Sequence, residues 1–283
     1  MIREAEIRRA AAAAKVDPMV IDLDYSLGWF LLGLRKTNDS FGGLVFKGGT
    51  CLRKCYFPDY RFSEDLDFTA ARYLSPTELE RWIAQSGEWI SAHDGPDFGV
   101  QPVRFEVVED EYGSESYQAR VYYRGPLRWG GSPRTVKLDI TRAEPVSLPL
   151  QEQPILHAYS DQASFSSSVL PCYGLEEIAA EKIRAVGGQR RFAVSRDIYD
   201  LYHLISFGIQ MERVREILPV KLNARGLGLQ SIDIQRLQQR RFEFEKDWER
   251  RLNYLVVHQN VRFEDAWDCV LNLLNDISGS PGT

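Results

Sequence analysis

The spacing of apolar and polar residues changes period twice along the chain. Residues 2–15 and 18–36 have helical periodicity, and the second run opens at Asp17-Pro18, a cap followed by a proline suited to a first turn. Leu44-Val45-Phe46 reads as a short buried strand running into two glycines. A helix over Thr50 to Phe57 follows, ended by Pro58-Asp59, then a strand carrying Asp65 and Asp67, then a helix from about Pro76 to Ala92. From Pro102 to Thr141 the period becomes two, with strands at Val103–Val108, Gln118–Tyr123 and Arg134–Thr141. Short strands between Pro154 and Leu170 lead back to helices, over Gly174 to Val186, from Ser195, over Ile232 to Leu255 and over Phe263 to Ile277. SGSPGT is a frayed tail. The pattern predicts an α+β fold with a mixed α/β lobe over 1–170 and a helical lobe over 171–283.

Polar residues that interrupt this pattern gather between Lys47 and Thr69, KGGTCLRKCYFPDYRFSEDLDFT. Period two puts Ser63, Asp65, Asp67 and Thr69 on one face of a strand, with Phe62, Leu66 and Phe68 on the other. Asp65 and Asp67 then project together, about 7 Å apart. Carboxylates that close repel unless a cation sits between them, and hard oxygen ligands suit Mg²⁺ or Mn²⁺. Gly48 and Gly49, at the head of a short helix, let the backbone approach an anion such as a phosphate. On the strand over Arg134 to Thr141, Lys137, Asp139 and Thr141 share one face, so Asp139 is placed as a third carboxylate on the same sheet surface. A solvated aspartate on an outer face is the plain alternative.

In the helical part, Lys182 falls inside the apolar stripe of Leu175, Ile178, Ala179, Ile183 and Val186. A lysine there either snorkels to water or neutralises an anion. Ser195 reads as a cap of the next helix. Asp197 suits the helix dipole of its first turn, yet it also heads the inward stripe Asp197, Leu201, Leu204. The aromatics Phe242, Phe244 and Trp248 read as core residues of an Arg-rich helix before they read as a nucleic-acid surface.

Composition changes this picture in two places. The 283 residues are 44% hydrophobic and 27% charged, as in an ordinary globular protein, and no apolar run is long enough to span a bilayer. Net charge is −5, yet Lys182 to Arg251 contains fifteen Lys/Arg against nine Asp/Glu, which places an anion-facing surface in the second half. Cys51, Cys55, Cys172 and Cys269 lack CxxC spacing and nearby histidines. They read as reduced core thiols in preference to disulfide or zinc, consistent with a cytoplasmic location. His93, His157, His203 and His258 match no metal or triad spacing, and the chain lacks a GxSxG elbow, a Walker sequence and GxGxxG.

Gly48-Gly49 followed by Asp65-x-Asp67 resembles the signature of the DNA polymerase β-type nucleotidyltransferases. The wording FKGGTCLRKCY, RFSEDLDF, EKIRA and SRDIYDLY, in that order over Phe46 to Leu204, resembles the AbiEii group, the toxins of type IV-like toxin–antitoxin systems that include MenT-type tRNA nucleotidyltransferases. The resemblance implies a polymerase β-like core and transfer of a nucleoside monophosphate from an NTP to RNA, with the tRNA 3′ end as acceptor. It implies a cognate antitoxin as partner and no membrane. It assigns Asp65, Asp67 and Asp139 to Mg²⁺ or Mn²⁺, with Asp139 also placed to take the acceptor proton. It assigns Lys47, Gly48, Gly49, Thr50, Ser63, Lys182 and Asp200 to the nucleotide. An acid of the RDxYD segment is required, and Asp197 and Asp200 both remain open for that role, with Asp197 preferred. Ser63 occupies the S-x-D position that antitoxins of some MenT-type systems phosphorylate. The same core could instead serve a protein or small-molecule hydroxyl, or persist as a non-catalytic nucleotide-binding module.

Overall fold

The computed structural model describes residues 1–109, 115–128, 130–190, 192–256 and 261–279; His258 and the end of the SGSPGT tail lie outside them. Two compact units emerge, Met1–Glu144 with Leu150–Cys172, and Pro145–Pro149 with Tyr173–Thr283.

The first unit is built on a mixed seven-stranded sheet in the order β3-β4-β5-β2-β1-β7-β6. The strands are β1 (Leu44–Lys47), β2 (Asp65–Ala70), β3 (Arg104–Glu109), β4 (Glu115–Tyr123), β5 (Arg134–Thr141), β6 (Gln151–Pro154) and β7 (Val169–Cys172). β1 runs antiparallel to β2 and parallel to β7, and β2 runs parallel to β5. The helices are α1 (Glu4–Ala14), α2 (Pro18–Thr37), α3 (Gly48–Cys51) and α4 (Pro76–Ala92). Asp17 caps α2 as its sequence predicts, accepting from Met19 N–H at 2.7 Å.

Alternation decides which sheet face is core. Leu66 and Phe68 of β2, Val136, Leu138 and Ile140 of β5, and Tyr117, Ala119 and Val121 of β4 are all buried. α2 and α4 pack on each other and reach β5 and β4, so this apolar face lies beneath them. Each Val, Leu, Ile or Phe among them contributes about 1.5–3 kcal/mol on burial. The opposite face receives the polar members of the same strands. α2 is buried from Tyr25 to Leu34, which explains a run too apolar for a surface helix.

Several boundaries differ from the sequence reading. The strand read from Ser63 begins at Asp65, the strand read from Gln118 begins at Glu115, the strand read from Pro154 ends there, and the helix read from Thr50 begins at Gly48. That helix leaves α geometry at Leu52 and widens into a π-helix over Leu52–Tyr56, with Phe57 N–H donating to Leu52 O at 2.8 Å. Periodicity does not register an extra residue per turn.

The second unit contains α5 (Leu175–Arg184), α6 (Ser195–Phe207), α7 (Met211–Asn223), α8 (Ile234–Gln239), α9 (Arg241–Asp247) and α10 (Phe263–Ser278). Pro145–Pro149 joins it because Glu177 accepts from Ser147 N–H at 2.6 Å and Leu148 N–H at 3.2 Å, while the fully buried Lys221 donates to Pro145 O at 2.6 Å and pairs with Glu177 at 2.7 Å. The helix read over Ile232 to Leu255 is broken. Arg240, at φ −94° and ψ 5°, separates α8 from α9, and a π-helix follows over Trp248–Leu252. Phe244 and Trp248 are core residues as their spacing suggests, against Trp267 and Phe263 respectively, whereas Phe242 is 72% exposed. Ser195 is not a cap: Val194 takes that position, and Ser195 Oγ donates to Asp247 at 2.7 Å. Among the described residues no helix is long and apolar enough to cross a membrane.

Candidate active site

Register brings the carboxylates of the first unit together. In the β1–β2 pair Lys47 stands opposite Asp67, in the β2–β5 pair Asp67 stands beside Asp139, and in the β4–β5 pair Asp139 stands opposite Gln118. Register partners share a face, so Lys47, Asp67, Asp139 and Gln118 form one row across four strands. The next row on that face is Asp65, Lys137, Arg120 and Arg104. Lys137 Nζ lies 3.7 Å from Asp65 Oδ1.

Gly48 closes the end of this row. Its φ of +77° is favourable for glycine, and a Cβ there would meet Asp67 Oδ2 and lie 3.0 Å from Asp67 Cβ and Cγ. The turn therefore passes against the carboxylate with no room for a side chain. Gly49 is similarly crowded by the Arg61 guanidinium, whose Cζ would be 3.2 Å from an added Cβ. Thr50 is fully buried and its hydroxyl donates to the Asp65 carbonyl, which fixes the start of β2 to α3. Lys47, which precedes the turn, and Arg61 beside it are buried, and so is Ser63 two residues ahead of Asp65.

Burial raises the Asp139 carboxyl above its ordinary range, and the charge of Asp65 adds to the rise. Gln118, Lys137 and Arg120 oppose it. A hard divalent cation fits this set, since three carboxylates on one face supply oxygen ligands and gain from relief of their repulsion.

A second charged cluster lies within the other unit. Lys182 Nζ on α5 is 2.8 Å from Asp197 Oδ1 and 2.6 Å from Asp200 Oδ2, both on α6, and Arg190 Nη1 is 3.1 Å from Asp197 Oδ2. Burial would raise the Asp197 carboxyl, but Arg190 and Lys182 outweigh it and hold it below its ordinary range. The Lys182 pairs with Asp197 and Asp200 join α5 to α6. Asp197 and Asp200 are one helical turn apart and both bind the lysine, so geometry does not choose between them.

Sequence reasoning missed Arg61, Arg120 and Arg104, and it placed Lys137 on the Asp139 face without its approach to Asp65. Arg61 precedes the SEDLD run by one residue pair, but nothing local says that it folds onto Gly49. The three other cations lie on alternate positions of three strands, and their alignment with Asp65 exists only once register is known. The sheet face thus carries a row of cations beside its acids, in which Lys137 lies near Asp65 and Arg104 pairs with Glu106. Of the histidines, His157 is buried and bonded to Asp161 Oδ1 at 2.9 Å, a structural role.

This sheet sets an acid pair after a tight glycine turn and a third acid on the neighbouring strand, an arrangement compatible with nucleotidyl transfer. The family model for the "Nucleotidyl transferase AbiEii toxin, Type IV TA system" matches residues 29–269. The chain belongs to the AbiEii family, nucleotidyltransferase toxins of type IV toxin–antitoxin systems. Among solved structures it is similar to MenT4, a nucleotidyltransferase toxin of Mycobacterium tuberculosis H37Rv, at 24% identity and TM-score 0.53, over 97% of this chain and 99% of that one. A structure from H. pylori assigned to the nucleotidyltransferases aligns at 15% identity and TM-score 0.51, over 93% of this chain and 98% of that one. At these identities the likeness shows the fold. A comparison with curated proteins gives no match.

Proposed function

We propose that this toxin transfers a nucleoside monophosphate from an NTP to an RNA hydroxyl, with the tRNA 3′ end as acceptor, in the cytoplasm and under restraint by a cognate antitoxin. The observation that carries the reading is the register of Asp67 beside Asp139 with Gly48 packed on Asp67. Asp65, Asp67 and Asp139 would hold Mg²⁺ or Mn²⁺, which when bound supplies charge neutralisation for the phosphates and the attacking oxygen.

The chain's own residues carry the rest. Gly48 and Gly49 bring backbone to the triphosphate, and Lys47, Thr50 and Ser63 frame that turn, with the Arg61 cation beside Gly49. The acceptor oxygen attacks the α-phosphorus, the bond to the β-phosphate oxygen breaks, and pyrophosphate leaves. The hydroxyl proton passes to a carboxylate, for which Asp139 is the candidate by its place beside Asp67 on the sheet face. In the second unit Lys182 is held by Asp197 and Asp200, and the family resemblance assigns it to phosphate. Positioning and electrostatics supply most of the rate in such chemistry.

RNA is favoured over a small hydroxyl compound by the row Lys137, Arg120, Arg104. It crosses three strands spaced about 4.8 Å apart, a reach of about 10 Å that suits successive phosphates better than one.

The test is incubation with each α-³²P-labelled NTP, Mg²⁺ and total RNA, with Asp65→Ala as control. Label on a tRNA-sized band from wild type and none from Asp65→Ala is the expected result. Label on protein would replace RNA by a protein hydroxyl, and folded protein giving no label would favour a binding module. Wild-type transfer by Asp65→Ala would overturn the mechanism.

A further inference from the structure

A cluster away from the carboxylates has the chemistry of a second site. Cys51 ends α3, Cys55 lies in the π-helix that follows, and Cys172 ends β7, whose register partner on β1 is Phe46. Their sulfurs lie within 4.8 Å of one another, and the residues are 0%, 3% and 0% exposed. All three are free thiols. Three thiols converging from two chain segments far apart in sequence exceed what shared helix spacing of Cys51 and Cys55 provides. The π-helix bears on this too, since widened turns recur at functional sites and here one carries Cys55.

We propose that Cys51, Cys55 and Cys172 form a trigonal thiolate site for a soft, thiophilic cation, of which monovalent copper is the fitting case. Softness follows from an all-sulfur donor set. Three-coordination follows from the surroundings: among the described residues no histidine, carboxylate or fourth cysteine joins the cluster, whereas structural zinc sites are almost always four-coordinate. The residues are also nearly closed to solvent, which leaves little access for water as a fourth ligand.

Binding would displace the three thiol protons to solvent. The ion would tie the segment after Gly48-Gly49 to β7. It acts on the scaffold of the glycine turn and takes no part in transfer.

The test uses the full chain, reduced and anaerobic, titrated with Cu⁺ against a chromophoric chelator. Copper K-edge absorption and thermal melting provide second readouts. Expected are one copper per chain, a first shell of three sulfurs, and a raised Tm, since a ligand that prefers the native state stabilises it. Cys172→Ser and Cys55→Ala, each confirmed folded by circular dichroism, should weaken binding by at least about tenfold. Cys269→Ser, outside the cluster, should bind as wild type does. No uptake by folded wild type would leave core thiols and overturn the site. So would copper binding unchanged in both cluster variants, or uptake of Zn²⁺ with none of Cu⁺. Wild-type transfer activity without copper is expected and separates this test from that of the transferase reading.

Discussion

Asp24 and Asp139, one matched with cations and one set among the acids Asp65 and Asp67, belong to one unit and one residue type, yet their surroundings push them in opposite directions. Asp24 on α2 is buried and shared by Arg53 at 2.6 Å and Lys54 at 2.7 Å, and it also accepts from Tyr159 Oη at 2.8 Å. Burial would raise its carboxyl, but the two cations hold it far below the ordinary range. Asp139 is raised instead, by burial and by Asp65. Charge matched inside the fold holds helices together. Like charges gathered on one sheet face are costly to the fold alone, and a ligand that needs them gives the arrangement a use.

Exchange of a carboxylate for its amide separates the two kinds. Asp67→Asn should lower transfer by about 10³-fold or more, because its charge acts on the reacting phosphates, while Tm moves by less than about 4 °C. Asp24→Asn should do the reverse. It leaves Arg53 and Lys54 buried without their counter-charge, a loss of about 3–5 kcal/mol by urea unfolding. The Asp24 contribution is full above the unfolded carboxyl value of 3.8 and is lost as the pH falls below it toward the depressed folded value. The Asp24→Asn protein should therefore lack that part of the acid transition. Equal effects of the two substitutions on Tm would erase the distinction.

Much of the trio was legible in the sequence, because a period of two fixes faces without tertiary information: Asp65 and Asp67 alternate with Leu66 and Phe68, and Asp139 with Leu138 and Ile140. Their mutual approach was not. It depends on β2 pairing parallel with β5 in a register that sets Asp67 beside Asp139. The partners of Asp24 were hidden for a related reason, since a polar residue in an apolar helix says only that something must meet it. Lys182 was marked by its stripe, but two acids on one lysine required α5 and α6 to pack. Cys172 carried no sign of Cys51, since a single thiol has no period.

A smaller effect is expected at the turn. Gly48→Ala places a Cβ at φ +77° and against Asp67. The backbone term costs about 1–2 kcal/mol. Displacement of the carboxylate should lower transfer by about 10²-fold, more than the stability loss explains. A variant that loses stability alone would show that the glycine serves the chain conformation and not the site.

The smallest effect tests the sign of the comparison. A carboxyl whose folded value is raised holds its proton more tightly in the native state than in the unfolded chain. Stability is then lost as the pH rises from the unfolded value of 3.8 through the raised one. Asp139→Asn removes that loss, so in metal-free buffer its Tm at pH 7 should exceed wild type by less than about 4 °C, and the gain should vanish near pH 3.5. Mg²⁺ held by the carboxylates should stabilise wild type more than the variant and narrow the gap between them. A variant less stable than wild type at pH 7 without metal would mean that Gln118, Lys137 and Arg120 already compensate Asp139, as Arg53 and Lys54 compensate Asp24.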